Sequence, residues 1–242
     1  MAIISTLNYS PNFNPNKRNI KHIKFIIFHY TGMKKESEAV RRLTDIQSQV
    51  SSHYMIKNNG EIICLVPELY IAWHAGISSW KNLTSLNKYS IGVEISNPGH
   101  EYNYKKFKKK QINSILKLSK YLIKRYKINP KNILGHSDIA PGRKKDPGEK
   151  FPWEFMAKKK IGVWHTLNSR ALRNYRNNKI AINDQKIFLN NLFKIGYKKI
   201  KNKKQQIFII KAFQRRYRQE LINGKIDKEC LLISQNLNKN KS

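Results

Sequence analysis

The chain has 242 residues, enough for one large domain or a medium domain with a small one, and 40% of them are hydrophobic, enough for a packed core. Its 48 basic and 15 acidic residues leave a net charge of +33, which points to a polyanionic partner: nucleic acid, an anionic membrane surface or an anionic wall polymer. The two cysteines, Cys64 and Cys230, exclude a disulfide framework and a Cys-pair metal motif, and the absence of any apolar run near ~18 residues excludes a transmembrane helix.

The start, Met1 to Asn8, lacks a basic stretch followed by an apolar core, so no signal peptide is expected. Lys, Asn and Ile dominate the composition, as AT-rich coding sequence favours, so the charge alone assigns no partner. Residues 1–22 read as an irregular N-terminal arm interrupted by Pro11 and Pro15. Ile23 to Phe28 is a short β-forming run suited to a strand buried on both faces. It ends in His29, which as a lone histidine reads either as core filling or as a ligand.

Ser37 to Ile46 predicts a short helix with Ala39, Val40 and Leu43 on one side. Ser52–Lys57 and Glu61–Val66 flank Asn58-Asn59-Gly60, a hairpin signal because Asn-Gly supplies the positive φ angles of a tight turn. Cys64 lies in the second of these runs and is expected as a buried free thiol. Trp73-His74-Ala75-Gly76 follows. Ile91–Ser96 predicts another strand, interrupted by Glu94 between Val93 and Ile95. A carboxylate inside a buried strand requires a partner or a function.

Phe107 to Tyr126 is the clearest helix, with Ile112, Ile115, Leu116, Leu122, Ile123 and Tyr126 at three- and four-residue spacing. Asn129-Pro130 stops it before a strand end at Ile133-Leu134. The stretch 133–148 then holds His136, Asp138, Arg143, Lys144, Lys145 and Asp146 in a loop broken by prolines and glycines, where sites are usually built. His136 and Asp146 can both bind a divalent metal. Catalytic zinc usually takes three protein ligands and leaves one position for water, so a third must come from elsewhere. Residues 151–165 supply aromatic packing that closes this domain.

Residues 166–183 turn polar and basic and read as a linker. Phe188, Leu189, Leu192 and Phe193 then mark one helix ending at Gly196, and Ile207, Ile210, Phe213 and Tyr217 a second. Asp227 is placed to cap a third through Leu231 and Leu232. Residues 184–237 therefore predict a small three-helix unit, followed by a frayed tail, 238–242.

Five motifs occur in order: Phe28-His29-Tyr30-Thr31-Gly32, Ser52-His53-Tyr54, Trp73-His74-Ala75-Gly76, Ile91-Gly92-Val93-Glu94-Ile95, and the run Gly135-His136-Ser137-Asp138 through Asp146-Pro147-Gly148. Over residues 8–165 the chain resembles the zinc N-acetylmuramoyl-L-alanine amidases of the AmpD/AmiD type, kin to peptidoglycan recognition proteins. Ala212 to Tyr217 before Asn223 to Asp227 resembles a peptidoglycan-binding three-helix domain. The resemblance implies an α/β fold: a mixed central sheet flanked by helices, 23–165, plus the terminal three-helix domain.

It further implies His29, His136 and Asp146 as Zn²⁺ ligands, Glu94 as general base and Lys144 as the cation facing the oxyanion, with Lys145 one place off the motif. Trp73 and His74 would line the groove for sugar or peptide, although a lone histidine such as His53 or His74 is more often packed. Arg143 would hold a stem-peptide carboxylate or serve the surface, and Asp138 would orient a ligand or the loop. The expected reaction is hydrolysis of the amide between N-acetylmuramic acid, or its anhydro form, and L-alanine, in the cytoplasm or the periplasm. Its partners would be peptidoglycan or muropeptides. Two rival classes are a non-catalytic wall-recognition protein and a basic nucleic-acid binder with steep salt dependence.

Overall fold

The computed structural model describes residues 6–199 and 202–239. The first five residues of the expected arm and the last three of the expected tail lie outside them, as does the part of the signal-peptide reading that rests on residues 1–5.

The strands are β1 (Thr6–Leu7), β2 (Phe13–Asn14), β3 (Phe25–Tyr30), β4 (Tyr54–Ile56), β5 (Ile62–Cys64), β6 (Ile71–Ala72), β7 (Ser79–Trp80), β8 (Leu83–Thr84), β9 (Ser90–Ile95) and β10 (Ile133–Gly135). Six of them form one sheet in the order β1-β5-β4-β9-β3-β10. β3 pairs in parallel with β9 and β10, β4 in parallel with β9, and β5 antiparallel with β4. The Asn59-Gly60 turn closes the β4–β5 hairpin, with Gly60 at φ 89°. The arm is less irregular than its prolines suggest. β1 adds a parallel edge strand to β5, and β2 pairs with β6.

The principal helices are α1 (Glu36–Thr44), α2 (Lys109–Tyr126), α3 (His136–Ile139), α4 (Trp153–Lys158), α5 (Ser169–Leu172), α6 (Ile182–Ile195), α7 (Lys203–Tyr217) and α8 (Lys228–Lys239). Side chains alternate across β3. Ile26 and Phe28 face a core built with Ile115, Leu118, Leu122 and Tyr126 of α2 and with Phe151 and Trp153. Phe25 and Ile27 face the other way, into a core shared with Leu134, Ile139, Phe188, Leu192, Ile210, Phe213 and Leu231. Burying each such side chain contributes about 1.5–3 kcal/mol. Ala39 and Leu43 of α1 cover Met55, Ile63 and Leu65 at the hairpin.

The three terminal helices are present, with Gly196 after α6 at φ 142° and Asp227 accepting the Cys230 N–H at 3.0 Å as the cap of α8. They do not hang beyond a bare linker. They cover the second face of the central sheet, and residues 166–183 contain α5, whose Leu172 is buried in that same core. α8 runs to Lys239, into the segment expected to fray. Cys64 and Cys230 are both buried and free.

Candidate metal centre and active site

His29 lies near the carboxyl end of β3, Glu94 near that of β9, and His136 directly after that of β10. The crevice outside the carboxyl ends of parallel strands is where open α/β sheets build sites. In register, His29 pairs with Glu94, and Phe28 with Gly135. Residues separated by more than a hundred positions are thereby brought side by side. The segment after β10 is not a plain loop, because His136–Ile139 turns into the short helix α3, with Asp138 accepting the Gly135 N–H at 2.8 Å. Asp146 returns over this turn, tied by a hydrogen bond from the Ser137 N–H to its carbonyl at 2.8 Å.

Three atoms converge. His29 Nδ1 stands 2.9 Å from His136 Nδ1 and 2.9 Å from Asp146 Oδ2, and His136 Nδ1 stands 3.1 Å from the same oxygen. Among the described residues, these three form the group whose donor atoms could share one ion, and all three are buried. Ligands about 2.0–2.1 Å from a tetrahedral zinc stand about 3.3 Å apart, close to these separations. The protonation pattern fits as well. His136 Nε2 lies 3.0 Å from the Ala75 carbonyl, which only accepts, so its proton sits on Nε2 and Nδ1 keeps its lone pair. Burial, with the neighbouring His136 adding to it, pushes the His29 pKa down to about 4, against the pull of Asp146, so at neutral pH this ring is uncharged. With both Nδ1 atoms unprotonated, two lone pairs and a carboxylate oxygen converge on one point. The donor set suits a divalent metal.

Glu94 lines the same cleft, a cavity of about 670 Å³ that also touches Trp73, Arg143, Lys144 and Lys145. Its Oε2 is buried without a hydrogen-bond partner. Burial pushes its pKa well above the usual carboxylate range, with Asp146 adding to the rise and Lys144 opposing it. A buried carboxylate oxygen left unpaired costs stability, and such groups concentrate where chemistry needs them.

The remaining predicted residues separate. Trp73 is 37% exposed on the cleft rim, free to stack on a ligand. His74 is buried, with Nδ1 at 3.0 Å from His29 Nε2, and so backs the His29–His136–Asp146 group. Arg143 Nη2 donates to the carbonyls of Ala75 at 2.6 Å and Ile77 at 3.1 Å, pinning the 75–77 loop beside His136. Asp138 points away from the cleft, toward α7, where Arg216 meets it. His53 is fully buried, and its Nδ1 accepts the Gly92 N–H at 3.0 Å. The sequence did not signal Ser90, which contacts His74 at 3.1 Å, or Arg18, which packs on His53.

Residues 18–149, more than half of the chain, match the family described as N-acetylmuramoyl-L-alanine amidase. This chain belongs to that family. The amidase is 38% identical over 231 residues to the N-acetylmuramoyl-L-alanine amidase AmiD of Escherichia coli K12, covering 89% of this chain and 82% of that protein. Among solved structures it resembles E. coli AmiD in complex with anhydro-N-acetylmuramic acid-L-Ala-D-gamma-Glu-L-Lys, with a TM-score of 0.79, 35% identity, and coverage of 94% of this chain and 92% of that one. AmpDH3 of Pseudomonas aeruginosa with an anhydromuramic pentapeptide superposes with a TM-score of 0.78 at 30% identity, covering 93% and 94% of the two chains. The likeness to AmiD and AmpDH3 extends through the terminal helices, so the mixed sheet and its second, helical cover belong to one architecture. No described helix of the amidase is long and apolar enough to cross a membrane.

Proposed function

We propose that the amidase hydrolyses the bond between N-acetylmuramic acid, or its 1,6-anhydro form, and L-alanine, with Zn²⁺ held by His29, His136 and Asp146. The observation that carries this reading is the convergence of those three donor atoms in one cleft with Glu94, whose Oε2 is buried without a hydrogen-bond partner. When bound, the ion supplies Lewis acidity to the attacking water and to the scissile carbonyl.

The chain's own residues do the rest. Glu94 takes a proton from the attacking water as the C–O bond forms and delivers it to the alanine nitrogen as the C–N bond breaks. The products are the lactyl carboxylate and a free peptide amine. The Lys144 ammonium faces the negative charge that develops on the carbonyl oxygen, and removing such a donor typically costs on the order of 10²–10³ in rate. Trp73 offers its exposed face to the sugar or peptide. Arg143, through the guanidinium atoms not spent on the loop, reaches a stem-peptide carboxylate. A recognition protein without activity has no use for a full ligand set, a base and a cation together.

Residues 184–237 serve as a peptidoglycan-contacting unit in this reading, supported by their sequence resemblance. Their inner faces are spent on the sheet, so contact would use exposed side chains such as Ile187, Phe193 and Ile207. The place of action follows the substrate: cytoplasm for soluble anhydro-muropeptides, periplasm for intact wall.

Mass spectrometry of digests of intact sacculi and of purified anhydro-muropeptides tests both points, run with wild type, Glu94→Ala and chelator-treated protein. The expected result is stem peptide released by wild type alone. Release by Glu94→Ala at the wild-type rate would remove Glu94 from the mechanism.

A further inference from the structure

His29 presents Nδ1 to the metal centre and must carry its single proton on Nε2 to do so. That Nε2 stands 3.0 Å from His74 Nδ1, a contact of two ring nitrogens that share one proton. Either ring could donate. The answer lies one step further out, at Ser90. Its Oγ is 2.6 Å from the Leu86 carbonyl and 3.1 Å from His74 Nε2. A carbonyl only accepts, and a hydroxyl has one proton, so that proton goes to Leu86. The Ser90 oxygen is left to accept from His74 Nε2–H. His74 Nδ1 is then a lone pair and accepts from His29 Nε2–H.

The His74 ring cannot drift from this alignment. It packs against Gly92, where an added Cβ would stand 2.4 Å from the imidazole. Asn87 Oδ1 accepts the backbone N–H groups of His74 at 3.2 Å and Ala75 at 2.7 Å. The state being opposed is specific. With its proton on Nδ1, His29 would donate to Asp146 Oδ2 at 2.9 Å and occupy the space of the ion.

We propose that Ser90 and His74 are positioning residues that hold His29 in its Nε2-protonated tautomer, so that a backbone carbonyl at Leu86 sets the metal-binding state of a ligand three hydrogen bonds away. His136 needs no such chain, because Ala75 orients it directly. The inference rests on the reading of His29 as a metal ligand. Neighbours that orient a ligating histidine typically contribute 10–100-fold in metal affinity.

The test uses the full-length protein, ¹⁵N-labelled, with and without zinc. Two-bond ¹H–¹⁵N spectra of the metal-free wild type are expected to place protons on Nε2 of both His74 and His29. Competition with a chelating dye is expected to show Ser90→Ala binding zinc 10–100-fold more weakly. His74→Phe should lose at least as much, and the double variant no more than His74→Phe alone, since the two act in series. A proton on His74 Nδ1 in the wild type, unchanged zinc affinity in Ser90→Ala, or additive losses in the double variant would each overturn the proposal. Failure of wild type to bind zinc would instead overturn the metal reading, while the tautomer spectrum would still decide this one.

Discussion

The Arg216 guanidinium of α7 lies 2.5 Å from the carboxylate of Asp138, two residues beyond His136 of the candidate metal centre, and both side chains are 1% exposed. Tyr197 donates to the other Asp138 oxygen at 2.8 Å, and Arg216 also donates to the Ile133 carbonyl at 2.9 Å. The guanidinium stacks over Trp153 at 4.1 Å. The terminal helices therefore grip both ends of the segment that carries His136. Replacing Arg216 with Met leaves a buried carboxylate without its counter-charge, and breaking such a pair costs about 3–5 kcal/mol. Urea denaturation should show a loss of that size. The double variant Arg216→Met/Asp138→Leu should recover part of it, because no charge is stranded, while the Gly135 N–H, the Tyr197 O–H and the Ile133 carbonyl still lose their partners.

This contact also marks what the sequence could not reveal. Glu94 was legible because a charge inside Ile91–Ile95 breaks an apolar run. His136 and Asp146 were legible because they share one short stretch. The third member of the candidate metal centre was not legible from local pattern. His29 is indistinguishable from a core histidine until the parallel pairing of β3 with β10 puts it beside His136, and only the resemblance to known amidases supplied that step. The apolar spacing marked all three terminal helices but not their docking. On α7 the buried positions include Gln214, Arg215 and Arg216 as well as Ile209, Ile210 and Phe213. A helix with buried arginines reads as solvated until its acidic partner, 78 positions away at Asp138, is known. His74 reads as groove lining beside Trp73, since nothing in the pattern points to Ser90.

As the proposed general base, Glu94 must be ionised to take a proton. Burial holds its pKa well above the ordinary range, Asp146 raises it further, and Lys144 pulls it down. Because the acid form accumulates as pH falls, kcat/KM should decline on the acid side, from a higher pH than an ordinary carboxylate would give. Glu94→Gln should lower kcat by about 10²–10⁴-fold. Lys144→Met should both lower kcat and move the acid limb to higher pH, since it removes the group that favours the carboxylate. An acid limb that stays in place in Lys144→Met would argue against their coupling.

Metal removal should be visible without substrate. An ion that binds only the folded chain stabilises it by about 4 kcal/mol at a thousand times its Kd. Chelation should therefore lower Tm in a thermal melt, and added zinc should restore it. In Asp146→Asn or His136→Ala the melt should become indifferent to zinc. A wild-type Tm unmoved by chelator and zinc alike would count against the centre.

His53, outside the candidate metal centre, gives a further pH dependence of stability. Its ring is fully buried, its Nδ1 accepts the Gly92 N–H at 3.0 Å, and its Nε2 therefore carries the proton and donates to the Tyr70 carbonyl at 3.1 Å. A second proton would have to enter at Nδ1, displacing the Gly92 bond, and the added charge would stand against the Arg18 guanidinium, whose Nη2 lies 2.9 Å from His53 Nε2. Burial first, and the Arg18 charge second, hold its pKa well below the ordinary 6.5. The unfolded chain thus binds a proton at this residue that the folded chain refuses. The stabilisation is complete above pH 6.5 and is lost as pH falls below it, with a slope of about 1.4 kcal/mol per pH unit for one proton. In zinc-saturated protein between pH 7 and 5, His53→Gln should be less stable than wild type at pH 7. Its stability should then fall more gently, by the slope of one proton. Parallel slopes in the two proteins would mean that His53 accepts its proton in the fold.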